Sequence, residues 1–384
     1  MSHCSVRPCR IEQLEHRRLL AVTLDLDGGG RLRGVSTDDL GQTANITLTV
    51  RPDNRITVTE GTTDYGTFDV AKNLEIDLGD TAGVFVNRLD LNNNTLDANV
   101  RVRLGDAAIL NQFRITTPGG GTGTLDGNLT VNGGDGADFI TFGELGGQTV
   151  GRTINVTGNV KIDTGGGGAD PNVPDGPPPD SVATGGFDLG SSDPQTGTVN
   201  TILNVGKNMT VENSTVLALR GSVAGNLRSD SSEKDVGQLV ILGNFGLPFS
   251  VGKNVKIVTG NDDDRVDVQG AQIAGHFSLA TNGGDDLIFV TNDLDVTDSV
   301  PTRVGKHVTI NTGSGDDELE VTALVAPKGH VRVTLGGGAD SFSFADGADV
   351  DVDRLLIDFG AGTDAYDPGA GNSFGFPVML VGLP

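Results

Sequence analysis

Apolar and polar residues alternate at period two along much of the chain, as in "ANITLTV" from Ala44, "RITVTE" from Arg55, "VKIDT" from Val160 and "DRVDVQG" from Asp264. Such runs, rich in Val, Ile and Thr, predict strands with one face buried. From about residue 22 onward helical periodicity is essentially absent. Many runs end in a Gly-rich acidic turn that leads into a second apolar run: Asp138 is followed by "FITF", Asp286 by "LIFV", Asp317 by "ELEV" and Asp340 by "SFSF". The predicted unit is strand, tight acidic turn, strand, loop.

The unit recurs with fixed internal spacing. It reads "NLEIDLGD" from Asn73, "NVRVRLGD" from Asn99, "NLTVNGGDGAD" from Asn128, "NVKIVTGNDDD" from Asn254, "HVTINTGSGDD" from His307 and "HVRVTLGGGAD" from His330, with Gly six residues after each opening residue. That is the mark of a repeat protein. Turn aspartates Asp264, Asp286, Asp317, Asp340 and Asp364 follow one another at 22, 31, 23 and 24 residues, the length of one solenoid coil. The expected fold is all-β: a parallel β-helix (β-solenoid) with coils of roughly 22 to 31 residues, with an antiparallel β-sandwich array as the competing architecture. A sandwich would not need the same residue type at the same turn of every unit.

In a solenoid, Val255, Ile257, Val308, Ile310, Val331, Val333, Phe342 and Phe344 should line the interior. The opening residues Asn73, Asn99, Asn128, Asn159, Asn254, His276, His307 and His330 should stack as a polar ladder, since amides repeated at the spacing of stacked strands hydrogen-bond in a row. This places three of the five histidines at equivalent repeat positions instead of at a common site. The units between Asn208 and Asn254 read as irregular coils. Three regions follow: residues 1–21 as a leader; 22–367 as the solenoid, with a Pro-rich inserted loop at about 169–198; and 368–384 as a C-terminal cap or tail.

Composition narrows the function. The 58 glycines among 384 residues greatly exceed the usual share of about 7%, so turns are very frequent. A net charge of −24 makes nucleic acid a poor partner, because phosphate binding needs a cationic surface, and suits divalent cations. No run approaches the roughly 18 apolar residues of a membrane-spanning helix. Cys4 and Cys9 are the only cysteines, so the repeats contain neither disulfide nor thiolate metal site.

The charged segment "CRIEQLEHRRLLAVT" is unlike the repeats. At Leu14, Glu15, Arg17, Leu19 and Leu20 it resembles the LEPR-XLL motif, with His16 where that motif has Pro and with the resemblance confined to residues 10–22. The resemblance implies a sorting segment on an exported or surface protein. "GGDGADFIT" from Gly133 matches the defined positions of the calcium nonapeptide and is similar to the turns of the repeats-in-toxin β-roll. That resemblance implies Ca²⁺ held by turn carboxylates, here Asp135, Asp138, Asp262, Asp264, Asp285, Asp286, Asp316, Asp317, Asp340 and Asp364. In that family the nonapeptides run in tandem, whereas here single copies recur a coil apart. A Gly-Asp turn is also a good corner without any ion, because Asp accepts hydrogen bonds from its own turn.

The expected function is therefore that of an extracellular or cell-surface structural or adhesive repeat protein, with Ca²⁺ as a candidate stiffening ion. Its expected partners are extracellular or cell-surface macromolecules, and open coil ends would allow end-to-end self-association. The alternative is a β-helix polysaccharide lyase or hydrolase; no H-E-x-x-H or P-loop motif is found to support catalysis.

Overall fold

The structure, a computed structural model, describes residues 22–26, 31–36, 44–70, 72–77, 84–106, 110–143, 151–166, 180–184, 201–234, 236–243, 249–292 and 300–383. Its described secondary structure is strands, and almost all pair in parallel with the equivalent strand one coil away. Three strand sets run along the axis. The first holds the strands that begin with the Asn or His positions, from Asn73–Asp77 and Asn99–Arg103 through Val255–Val258 and Val308–Asn311 to Val378–Val381. The second follows the acidic turns, as in Asp138–Phe142, Arg265–Gln269 and Leu287–Thr291. The third closes each coil, as in Gly121–Leu125, Arg152–Val156 and Thr302–Val304.

The parallel β-helix expectation holds, and among the described residues antiparallel pairing is confined to the N-terminal end. There Val22–Leu26 pairs antiparallel with Arg31–Ser36, and Ala44–Val50, Arg55–Glu60 and Thr63–Asp69 form an antiparallel meander. Most coils fall within 22 to 31 residues, but the steps span a wider range. The step from Asn159 to Asn208 is 49 residues and that from Asn208 to Asn226 only 18. The long step contains the Pro-rich segment expected as a loop at about 169–198, of which all but residues 180–184 lies outside the described residues. Within the segment expected as a loop, Ser181–Thr184 is a buried strand of the second set.

The units between Asn208 and Asn254 are regular, contrary to the expectation of irregular coils. Met209–Glu212, Leu227–Asp230 and Val255–Val258 pair in unbroken register. Their turns use Thr215 and Gln238 where other coils use Asp, which hid the repeat.

Period-two alternation becomes burial. Asn99–Arg103 alternates exposed and buried, as does Val308–Asn311. The inward Val255, Ile257, Val308, Ile310, Val331, Val333, Phe342 and Phe344 are all buried in one continuous cluster running the length of the stack. At roughly 0.8 kcal/mol per buried CH₂ group, this column of aliphatic side chains is the main driving force for folding. At the C-terminal end, Phe374 packs on Phe344 with centroids 4.6 Å apart and on Phe376 at 5.2 Å, while Met379, Val381 and Leu383 are exposed.

The corner between the first and second strand sets depends on glycine for contact. Gly313 and Gly336 both have positive φ, 104° and 99°. A Cβ on Gly336 would lie far inside van der Waals contact with the Gly313 carbonyl, and one on Gly313 inside contact with the Asn282 carbonyl. Gly336→Val should therefore combine backbone strain with a clash against backbone and destabilise by about 3 kcal/mol or more. Gly375→Ala, where a Cβ meets nothing, should be nearly silent. Denaturant unfolding of the two variants checks this.

Candidate functional site

The acidic turns build two columns of carboxylates. In the inner column each Asp Oδ1 accepts the backbone N–H of the equivalent residue one coil earlier. Asp264 accepts from Gln238 at 2.8 Å, Asp286 from Asp264 at 2.9 Å, Asp317 from Asp286 at 3.0 Å, and Asp340 and Asp364 from Asp317 and Asp340 at 3.1 Å. Toward the N-terminal end, Asp180 Oδ1 accepts from the Asp138 N–H at 3.2 Å, and the Asn111 amide donates to Asp138 Oδ1 at 3.0 Å. The side chain thus does for the turn what the backbone carbonyl does for the strand: it gives an N–H on a buried corner its acceptor.

The second oxygen of these carboxylates divides the column. Asp138 Oδ2 accepts the Gly134 N–H at 3.0 Å. Asp180 Oδ2 pairs with the buried ammonium of Lys234 at 2.5 Å. In the next five members, Asp264, Asp286, Asp317, Asp340 and Asp364, Oδ2 is buried with no hydrogen-bond partner. Among the described residues the chain supplies its own cation at one level and none at the five above it.

Burial is the first cause of the resulting proton affinities. It pushes Asp138 up to about 8, Asp286 to about 7, and Asp180, Asp264 and Asp340 to about 6, and it raises Asp317 as well. Neighbouring column carboxylates add to the rise at Asp286, Asp317 and Asp340; the Thr281 hydroxyl beside Asp286, the Thr312 hydroxyl beside Asp317 and the backbone N–H donors oppose it.

The outer column is exposed and, from Asp263 onward, lies one residue before the inner one. Asp106 Oδ1 accepts the Asp135 N–H at 3.0 Å. Farther along, Asp263 accepts from Asp285 at 2.8 Å, Asp285 from Asp316 at 2.7 Å and Asp316 from the Ala339 N–H at 2.6 Å. The expected ligand Asp262 stands outside both columns, at the level that Gly284 occupies in the next coil, and Asp263 takes the place expected for it. Among the described residues no three His, Cys, Asp or Glu side chains converge as a ready-made metal cage.

The polar ladder forms on the exposed side of the first strand set. Asn128 Nδ2 donates to Asn99 Oδ1 at 2.9 Å, Asn99 Nδ2 to Asn73 Oδ1 at 3.3 Å and Asn159 Nδ2 to Asn128 Oδ1 at 3.2 Å. The row continues through Asn208 and Asn226, which the sequence reading left out of the ladder, to Asn254. The signal was present in the "GKN" corner at Asn208 and in "GNL" at Asn226. His276 donates its N–H to Asn254 Oδ1 at 2.9 Å, and the rings of His276, His307 and His330 follow with centroids 5.2 Å apart. His307 Nδ1 accepts the His330 N–H at 3.1 Å. The histidines complete a column; they do not assemble an acid–base pair with the turn carboxylates.

Other residues that the sequence reading did not place are Asp106, Asp180 and Lys234. Asp180 was hidden by the Pro-rich segment just before it, and Lys234 by its lack of a repeat equivalent. The sorting-motif residues Leu14, Glu15, Arg17, Leu19 and Leu20 lie outside the described residues. Among the described residues no helix is long and apolar enough to cross a membrane. No protein family, curated protein or solved structure compared with this chain matches it.

The inner column makes stability depend on pH in a defined direction. A carboxyl raised in the folded state above its unfolded value of about 3.9 binds protons more tightly when folded. Its stabilisation is complete below that value and is lost as pH rises through about 6 to 7, and near 8 for Asp138. Melting temperature should therefore be highest in mild acid and fall toward pH 8. Asp286→Asn should cost about 1 kcal/mol in acid, where a new amide donor is left buried, and flatten the fall above it. A melting temperature that rises steadily across the same range contradicts this.

Proposed function

We propose that this chain is an extracellular or cell-surface scaffold, a rigid rod whose repeating edges present the same groups at every coil, with Ca²⁺ as a stiffening ligand of the acidic edge. The observation that carries the scaffold reading is the continuity of the columns. Backbone ladder, Asn/His ladder and carboxylate columns all repeat along one axis, and each polar side chain in them is spent mainly on holding the neighbouring coil. Such an array resists bending and offers repeated docking positions.

The orphaned Oδ2 atoms of Asp264, Asp286, Asp317, Asp340 and Asp364 support the calcium reading. A hard cation takes oxygen donors, which is what this edge offers, and Lys234 shows that the fold accepts a positive charge against one column carboxylate. Ca²⁺ would be held by these carboxylates together with the outer Asp263, Asp285 and Asp316, completed by turn carbonyls and water. It would supply charge neutralisation and a coil-to-coil cross-link.

Calcium titration of chelator-treated protein, followed by calorimetry and melting, tests this. Binding should stabilise by about 2.7 kcal/mol per site when the ion is at 100 times its Kd. Asp285→Asn combined with Asp316→Asn should reduce both the heat and the shift. No heat and no shift would end the calcium reading. Turnover of an anionic or neutral polysaccharide, abolished by an Asp substitution, would overturn the scaffold reading itself.

A further inference from the structure

The charge of the rod is sorted by side. From Asn254 to His330 the exposed ladder face carries no carboxylate: Gly252–Val258, Ala274–Ala280, Gly305–Asn311 and Lys328–Thr334 contain neither Asp nor Glu, in a chain where 51 of 384 residues are acidic. The same four segments hold Lys253, Lys256, Lys306, Lys328 and Arg332, all exposed, beside the three ladder histidines. Among the described residues none of these five cations lies in an ion pair; the strip ends at Asp353, which pairs with His330 at 3.2 Å.

The opposite charge lies on the same coils. At the far end of these strands the turns expose Asp262, Asp263, Asp285, Asp316 and Glu318. Basic face and acidic corner are separated by a strand of four to five residues, roughly 15 Å at 3.3 Å per residue, so neither can neutralise the other within one chain. Both follow the rise of stacked strands, about 4.8 Å, the cations on the coils of Asn254, His307 and His330 and the exposed carboxylates on the turns of Asn254, His276 and His307.

We propose that the basic strip is the docking surface for the acidic corner of a second copy of this chain, so that rods associate side by side. Five cations face five carboxylates within the same four-coil span, on levels set by one shared axial repeat. Because the two surfaces differ, the contact is heterologous and leaves one strip and one corner free, which extends the array instead of closing it. Net charge −24 opposes association at long range. With a Debye length of about 10 Å near 0.1 M salt, distant carboxylates are screened and the apposed columns decide. The contact concerns the scaffold's partner and does not require Ca²⁺.

Sedimentation velocity in chelator at about 0.1 M and about 1 M salt, where the Debye length falls to about 3 Å, tests it. The wild type should associate in a concentration-dependent way in the first condition and dissociate in the second. Lys253→Glu, Lys256→Glu, Lys306→Glu and Arg332→Glu together should weaken association by about tenfold or more, with the melting temperature showing the rod intact. Asp262→Lys with Glu318→Lys should do the same, and mixing the two variants should restore assembly, because each supplies the surface the other needs. The proposal is overturned if the wild type stays monomeric near 0.1 M salt, if the strip variant associates unchanged, or if mixing restores nothing. Tight binding of a soluble polyuronate to a wild type that stays monomeric would also overturn it, assigning the strip to a foreign polyanion. Because chelator is present throughout, a failed calcium experiment leaves this outcome untouched.

Discussion

Contact between successive backbone layers is the constraint on which the rest of this structure depends. Parallel strands about 4.8 Å apart satisfy one another's N–H and C=O groups only while every coil repeats the same path. Where the path turns sharply, as at Gly313 and Gly336, the carbonyl below leaves no room for a side chain. Coil length is then free to vary in loops, from 18 to 49 residues, because the loops lie outside the layers that touch. Corners are fixed and excursions are not.

Corners also create a polar problem, since a turn takes backbone N–H groups out of the strand ladder. The chain solves it with side chains that reach one layer along the axis: carboxylates at the acidic corner, amides and imidazoles at the other. The solution has a cost at the inner carboxylates. A carboxylate needs one oxygen for the N–H, and burying the second without a partner is unfavourable. Lys234 relieves that cost at Asp180, and protonation relieves it at Asp264, Asp286, Asp317 and Asp340. Stability and proton binding are thereby linked at one edge.

Much of this was legible in the sequence because stacking turns sequence spacing into columns. The identical offset of Asn254, His276, His307 and His330 from their turns identified one face, and the aspartates identified a corner. Neighbour relations across a register were less legible. Asp263, not Asp262, occupies the outer column because it precedes Asp264 as Asp285 precedes Asp286 and Asp316 precedes Asp317; the unbroken acidic run of Asp262, Asp263 and Asp264 obscured that offset. Asn208 and Asn226 were missed because Thr215 and Gln238 replace Asp in their turns, although their amides occupy the same ladder. The partition of charge into a basic face and an acidic corner emerges only when Lys253, Lys306 and Lys328 are seen to share a side that excludes carboxylates.

The account stands on in-register stacking, and a disulfide scan reads it most directly because the described chain contains no cysteine. Ser278 and Thr309 are register partners on adjacent coils, while Arg332 lies one coil beyond Thr309. Disulfides form when Cα atoms are about 4.4 to 6.8 Å apart. With Cys4 and Cys9 replaced, Ser278→Cys with Thr309→Cys should oxidise readily to an intramolecular disulfide without loss of stability, and Ser278→Cys with Arg332→Cys should remain reduced. The reverse pattern, or equal oxidation of both pairs, would contradict the stack.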